Sequence, residues 1–390
     1  MAPPITSWRL VLALWGAGLG AAAQYGKISV TYHIFPKIYP DAGATLGWLV
    51  SLVGFVGILF GVAAGLLVAR IRYRRALLWA LWIGAAVSLF QATLPPLPWM
   101  LASRIVEGAS HLAIVVAAPT LIAQLTAPSD RGLALTLWGT FFGVAFAILS
   151  WAGLPLVALA GLPALFVAHA LYLAVFAGVL STSLRRLPDN EDHAPLSLRG
   201  LLSDHAQIYR SPAIAAPAVG WLFYTFCFVS ILTVLPPYLS DAQRVAVMGA
   251  MPLVSIVVSL TAGVWLLRVM SAVRVIELGF ALSAVTMLWL WVQPGDAVAA
   301  LTLAATMGLI QGASFAAVPQ LNDEVAHQAR ANGAMAQMGN VGNTLGTPVM
   351  AAATLSFGYV GLPVLALLAF SCGLTAHLIL ARLRRSAWRS

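Results

Sequence analysis

The chain contains a succession of apolar segments that are each long enough to cross a lipid bilayer. A transmembrane helix needs about 20 consecutive, predominantly apolar residues. Twelve stretches meet this length, at approximately 8–35, 46–69, 76–95, 98–127, 133–154, 160–181, 213–236, 245–268, 273–293, 297–321, 332–357 and 360–381. Because backbone groups in lipid must be hydrogen-bonded within the protein, such segments have to be helices. The sequence therefore predicts an all-α membrane protein with twelve transmembrane helices.

The composition excludes a soluble protein. Only 8% of the residues are charged and 61% are hydrophobic, whereas a soluble domain carries about 25% charged residues.

The two cysteines, Cys227 and Cys372, lie in separate apolar segments and form no disulfide or metal-binding pattern. We therefore predict neither a metal site nor a cofactor.

The positions of the 21 basic residues predict the orientation of the chain. With the N-terminus inside, Lys37 and Arg244 lie outside, and Lys27 and Arg104 lie within segments. The other basic residues fall on the cytoplasmic side: Arg9, Arg70, Arg72, Arg74, Arg75, Arg131, Arg185, Arg186, Arg199, Arg210, Arg268, Arg274, Arg330, Arg382, Arg384, Arg385 and Arg389. Lys and Arg collect in cytoplasmic loops. The net charge of +9 is thus explained by membrane topology, and no nucleic-acid partner is predicted.

The start of the chain admits one alternative. Arg9, the apolar run after it and the small residues Ala21–Ala23 imitate a secretory signal peptide. Cleavage there would leave eleven helices. The apolar run continues through Phe35, and the internal repeat described next also favours the uncleaved chain.

The longest polar stretch, Thr182–Ser211, divides the chain into two groups of six segments. We predict an N-terminal bundle at 1–181, a central cytoplasmic loop at 182–211 and a C-terminal bundle at 212–390. The halves share features at nearly constant offset: Gly108–Ser110 recurs as Gly312–Ser314, and Arg131 recurs as Arg330. A six-plus-six repeat is typical of transporters that rock two bundles around a site near the bilayer midplane.

Two motifs resemble those of the major facilitator family. Gly65–Arg75 resembles the loop motif G-x-L-x-D-R-x-G-R-R, with Ala69 in place of the Asp and Arg72 in place of the Gly. Arg104–Gly108 resembles the fourth-helix motif R-x-x-(Q/E)-G. The resemblance implies a twelve-helix secondary transporter, which we expect to be a monomer in the inner membrane. The distribution of the basic residues predicts that both termini are cytoplasmic. It also implies a conformational role for the loop motif and its counterpart in the second half: Gly65, Arg70, Arg74, Gly263 and Arg268.

A third family motif is incomplete. The fifth-helix signature of many drug exporters, G-x-x-x-G-P-x-x-G, is met at Gly139 and Gly143, but Val144 stands where the Pro belongs. This departure disfavours a proton-driven multidrug exporter.

The ionisable residues inside the segments are the first candidates for a site, because charge within the hydrocarbon is costly and usually functional. Arg104, Glu107 and His111 lie at i, i+3 and i+7 of the fourth segment, on one helical face. One interpretation is a structural pair between Arg104 and Glu107. The other is that Arg104 binds an anion, while Glu107 and His111 are candidates for proton coupling.

The first segment places Gln24, Lys27 and Thr31 on one face in the same way. Lys27 has no acidic neighbour on its own helix and needs a partner from elsewhere, for which the candidates are Glu107, a helix terminus, cavity water and an anionic substrate. Since Glu107 can balance only one of Lys27 and Arg104, we expect the other to face water or substrate. This predicts an anionic solute.

Uncharged residues complete the predicted cavity lining. Each has an alternative role in hydrogen bonding or packing between helices. The candidates are Trp221, Tyr224, Gln311, Asn340 and Thr344.

The function predicted from the sequence is secondary active transport of a small, anionic organic solute, with possible proton coupling. The alternatives are an efflux carrier for amphipathic compounds and a metal or siderophore transporter. The sequence lacks G-x-S-x-G, H-E-x-x-H and a phosphate-binding loop. We therefore predict neither an enzyme nor an ATP-driven pump. The expected partners are the solute and membrane lipids.

Overall fold

The computed structural model describes residues 6–61, 64–185 and 208–387, which form helices joined by short turns. A helix corresponds to each predicted segment: α1 Trp8–Val30, α2 Pro40–Phe60, α3 Tyr73–Ala92, α4 Leu97–Leu125, α5 Arg131–Ala160, α6 Leu162–Ser183, α7 Pro212–Val234, α8 Asp241–Val269, α9 Ala272–Val292, α10 Ala297–Leu321, α11 Val325–Phe357 and α12 Gly361–Ala387. A short helix, Ala64–Ile71, completes the second segment.

Ten stretches of the described residues are long and apolar enough to cross a membrane. The last of them, His327–Arg385, covers most of both α11 and α12, and the 23-residue helix α1 precedes the first. Counting these helices separately gives twelve. The predicted fold class, an all-α membrane protein of twelve helices, is confirmed.

The exposed side chains are those expected of a protein surrounded by lipid. Trp79 is 66% exposed, Leu159 88% and Val292 79%. In water such a surface would drive aggregation. In a bilayer, apolar side chains are compatible with the acyl chains, and the backbone polar groups are satisfied within each helix.

The chain forms two compact units. The N-terminal unit comprises Met1–Thr31 and Ala63–Pro195, and the C-terminal unit comprises Tyr32–Val62 and Leu196–Ser390. Helices α1 and α3–α6 thus belong to the first unit, and α2 is grouped with α7–α12 in the second. The bundle boundaries at 181 and 212 remain a prediction, and residues 186–207 of the predicted loop lie outside the described residues.

Three helices of the C-terminal unit begin with a capping side chain. Ser211 accepts from the backbone N–H of Ile214 at 3.4 Å, and Asp296 accepts from that of Ala299 at 2.7 Å. Ser271 caps α9 in the same way. The first N–H groups of a helix have no partner within it, so these caps stabilise the points at which the helices begin.

Small residues allow α11 to pack closely on α7. A Cβ atom added at Gly342 or Gly346 would overlap the backbone of Leu222 or Phe226 in α7. Such close approach is a common means of helix association in membranes, where the hydrophobic effect between helices is absent. Gly342 and Gly346 therefore act as packing residues between α11 and α7.

We expect Gly346→Val to destabilise the C-terminal unit by about 1–3 kcal/mol, because the added side chain separates α11 from α7. The measurement is the unfolding temperature of the purified protein in detergent. The control is Gly333→Ala in the same helix, since no atom lies within 4 Å of a Cβ added at Gly333. Equal unfolding temperatures for the two variants would contradict this account of the packing.

Candidate functional site

The three ionisable residues predicted within the membrane meet in the interior of the N-terminal unit. Nζ of Lys27 in α1 lies 2.6 Å from Oε1 of Glu107 in α4. Arg104, one turn before Glu107, pairs through Nη1 with the other carboxylate oxygen, Oε2. All three side chains are fully buried. One carboxylate is therefore shared by two cations.

The remaining contacts hold this carboxylate and Arg104 in place. Nε2 of Gln91 in α3 donates to Oε2 of Glu107 at 2.8 Å. Nη2 of Arg104 donates to the backbone oxygen of Gln24 at 2.6 Å. The site thus joins α1, α3 and α4 through charge-assisted hydrogen bonds, which are the stronger kind.

Lys27 has two further partners. Its Nζ lies 2.9 Å from Oγ of Ser88 in α3 and 3.2 Å from Nδ1 of His169 in α6. Nε2 of His169 lies 2.9 Å from the backbone oxygen of Gly20. A carbonyl oxygen can only accept, so Nε2 carries the proton and Nδ1 accepts from the ammonium group. This arrangement fits a neutral imidazole.

The site therefore carries one excess positive charge. Lys27 and Arg104 contribute two positive charges, Glu107 one negative charge, and His169 none. The expectation that one cation faces water is not met, since both contact Glu107 and both are fully buried. Charge buried in this way costs free energy unless it is paired.

The other residues predicted on these two helices form hydrogen bonds within or between the helices around this site. Nε2 of Gln24 donates to Oγ of Ser110 at 2.9 Å, and Thr31 donates to the backbone oxygen of Lys27 at 2.5 Å. Nδ1 of His111 lies 2.9 Å from the backbone oxygen of Ala21. His111 thus connects α4 to α1 and has no contact with Glu107 among the described hydrogen bonds.

Three buried polar atoms in this region lack a hydrogen-bond partner among the described residues. They are Oε1 of Gln24, Oε1 of Gln91 and the hydroxyl of Tyr25. Burying a polar group without a partner is unfavourable. These atoms mark where a water molecule or a polar ligand would gain hydrogen bonds.

The C-terminal unit brings together some of its predicted lining residues. The Tyr224 hydroxyl in α7 donates to Oε1 of Gln311 in α10 at 3.2 Å, and Ser255 in α8 lies 3.3 Å from the same oxygen. The rings of Trp221 and Tyr224 stack at 4.7 Å, with Phe315 edge-on to Trp221 at 5.0 Å. These residues form a cluster of aromatic and polar groups.

The predicted polar residues of α11 do not join that cluster. Asn340 donates to the backbone oxygen of Ala336 in its own helix at 2.8 Å and packs against Gly57 of α2. The Thr344 hydroxyl is buried and has no hydrogen-bond partner among the described residues. Their predicted role in solute binding remains a prediction.

The loop motif lies at the end of the short helix Ala64–Ile71, which contains Gly65 and has Arg70 in its last turn. Arg72 has φ of 74°, a conformation that favours glycine. The family motif has a glycine at this position, the residue that adopts such a conformation without strain. Nη2 of Arg74 donates to the backbone oxygen of Ser181 at 3.4 Å.

The counterpart in the second half lies at the end of α8. Gly263 closes a π-helical turn, Ser259–Gly263, and Arg268 lies in the last helical turn. A similar turn, Leu149–Gly153, interrupts α5. Such turns often occur at functional positions in helices.

Sequence reasoning missed Ser88, Gln91 and His169. The prediction considered ionisable residues along single helices, whereas these three reach the site from α3 and α6. For two of them the sequence does contain a signal: Ser88 and Gln91 are polar residues one helical turn apart in an apolar segment.

The comparisons with known proteins agree with this architecture. Residues 10–347 match the model of the Major Facilitator Superfamily. Two solved structures of a bacterial homolog of the human lysosomal transporter Spinster, both inward-facing, are similar at 12% identity. The unoccupied form has a TM-score of 0.73, covering 96% of this chain and 94% of that chain. The occupied form has a TM-score of 0.75, covering 96% and 97%. No curated protein matches the chain.

At this identity the structural likeness supports the fold alone, whereas the family match spans most of the chain. The integral, multi-pass architecture and the twelve helices agree with that match. The chain belongs to the Major Facilitator Superfamily and is a secondary transporter, not an enzyme.

Proposed function

We propose that the protein transports a small organic anion across the cytoplasmic membrane by alternating access. The observation that carries this proposal is the excess positive charge at Lys27, Arg104 and Glu107 in the N-terminal unit. An anion that binds there brings the formal charge to zero. The free energy gained by pairing the second cation favours an anion over a cation or a neutral solute.

The geometry also suggests how the anion would bind. Each oxygen of Glu107 contacts one cation, so a substrate carboxylate would compete with Glu107 for Lys27 or Arg104. Displacement from one cation would release a carboxylate oxygen that could accept a proton. We propose this exchange as the link between solute binding and proton coupling.

The multidrug alternative is less well supported by the charges. A carrier for amphipathic cations needs an acidic binding region, because a cation gains nothing from an excess of positive charge. Among the described membrane-buried residues of the N-terminal unit, two cations accompany one carboxylate.

We also propose that both termini are cytoplasmic, which would place the many basic loops inside, and that the protein acts as a monomer.

The test is exchange of labelled solutes in proteoliposomes. We expect counterflow of one class of small organic acids, and no counterflow of cationic drugs. Imposing a pH gradient then shows whether the movement of the acid is proton-coupled. Counterflow of cations alone, or binding of the acid without exchange, would contradict the proposal.

A further inference from the structure

A cavity of about 930 Å³ lies in the C-terminal unit, where four helices end on the same side of the membrane. Its lining comes from the N-terminal ends of α7 and α9 and from the C-terminal ends of α10 and α12. None of its lining residues belongs to the candidate site described above. Since these helix ends lie where a transmembrane helix leaves the hydrocarbon, the cavity is at the level of the lipid headgroups.

The lining carries an excess of positive charge. Arg274, Arg384 and Arg385 line the cavity together with the carboxylates of Glu277 and Asp323. The helix dipoles add no net charge, because the N-terminal ends of α7 and α9 are offset by the C-terminal ends of α10 and α12. The cavity therefore favours an anionic group.

Two of these arginines are oriented by the backbone. Nη1 of Arg384 donates to the backbone oxygen of Pro212 at 3.2 Å, and Nε of Arg385 donates to that of Ala381 at 3.3 Å. A guanidinium group has five N–H donors in a planar arrangement. The remaining donors can bind phosphate oxygens in a bidentate manner, the geometry in which arginine is most effective.

Part of the lining is apolar, although Ser211, Ser271 and Gln320 also contribute to it. Val273, Leu378 and Ala381 supply side chains from α9 and α12, and Pro212 and Ala213 supply the start of α7. A free inorganic anion would make no use of these groups. A ligand with a phosphate and an adjoining apolar part would contact both kinds of surface.

We propose that this cavity binds the headgroup of an anionic phospholipid. The phosphodiester pairs with Arg274 and Arg384, and the glycerol and first acyl carbons contact the apolar lining. The side of the membrane agrees with this occupant, because these helix ends carry the basic residues that the sequence places in the cytoplasm. Basic pockets between transmembrane helices on that side are suited to anionic headgroups.

The test uses the purified full-length protein in detergent. Native mass spectrometry counts bound lipid as dioleoylphosphatidylglycerol or dioleoylphosphatidylcholine is added, and unfolding temperature is measured in parallel. We expect phosphatidylglycerol to bind at least about tenfold more tightly. Arg274→Gln and Arg384→Gln should each weaken that binding about tenfold, as expected for a lost charge-assisted contact. Glu277→Gln should strengthen it, because it removes a negative charge from the lining.

The matched control is Arg382→Gln, on the same helix end but outside the lining. It should bind phosphatidylglycerol as the unaltered protein does. Arg384 also holds α12 against Pro212, so the exposed Arg274 provides the test if Arg384→Gln does not fold. Equal weakening by Arg382→Gln would overturn the proposal in favour of general surface attraction. Competition by inorganic phosphate at the same concentration as the lipid would overturn it in favour of a free-anion site.

Discussion

Replacing Lys27 or Arg104 by Met is expected to reduce transport of the anionic solute severely while the protein still folds and inserts. Either change leaves Glu107 with a single cation, so the remaining pair is neutral and stays compatible with burial. What disappears is the excess positive charge that attracts the anion. Losing a charge-assisted contact costs about 1.5–3 kcal/mol, which corresponds to a roughly ten- to hundredfold loss of affinity.

The measurement is initial uptake into proteoliposomes, with protein recovery and unfolding temperature recorded for each variant. Lys37→Met is the matched control, because it makes the same chemical change at an exposed residue outside the membrane-buried site. It should transport normally. Normal transport by both Lys27→Met and Arg104→Met, or a cation as the natural substrate, would refute the anion site.

The sequence alone predicted the parts of this site that depend on local chemistry. Hydropathy located the segments, and the cost of intramembrane charge singled out Lys27, Arg104 and Glu107. The i, i+3 relation of Arg104 and Glu107 follows from helix geometry, so their pairing was among the predicted alternatives.

The rest depended on tertiary packing, which no single segment encodes. The pairing of Lys27 with Glu107 requires α1 to lie against α4, and His169 reaches Lys27 only because α6 packs on the same side. A prediction that considers helices one at a time assigns Glu107 a single partner. This is why the sharing of one carboxylate by two cations was not foreseen.

That sharing makes Glu107 the residue on which the stability of the N-terminal unit depends most. Glu107→Gln leaves Lys27 and Arg104 buried without a counter-charge, and it changes the side-chain volume little. Removing one partner from a buried ion pair costs about 3–5 kcal/mol. We therefore expect Glu107→Gln to be less stable than either Lys27→Met or Arg104→Met, as measured by unfolding temperature in detergent.

A double variant tests whether the effects of Lys27 and Glu107 on stability are coupled, and with which sign. Adding Lys27→Met to Glu107→Gln removes one of the two uncompensated cations, so the double variant should be more stable than Glu107→Gln alone. Residues in one ion-pair network commonly show coupling of this kind in double-mutant cycles. If Lys27 made only packing contacts, the second substitution would destabilise the protein further. A double variant less stable than Glu107→Gln would thus show that the three charges do not act as one site, and the argument for an anionic solute would lose its basis.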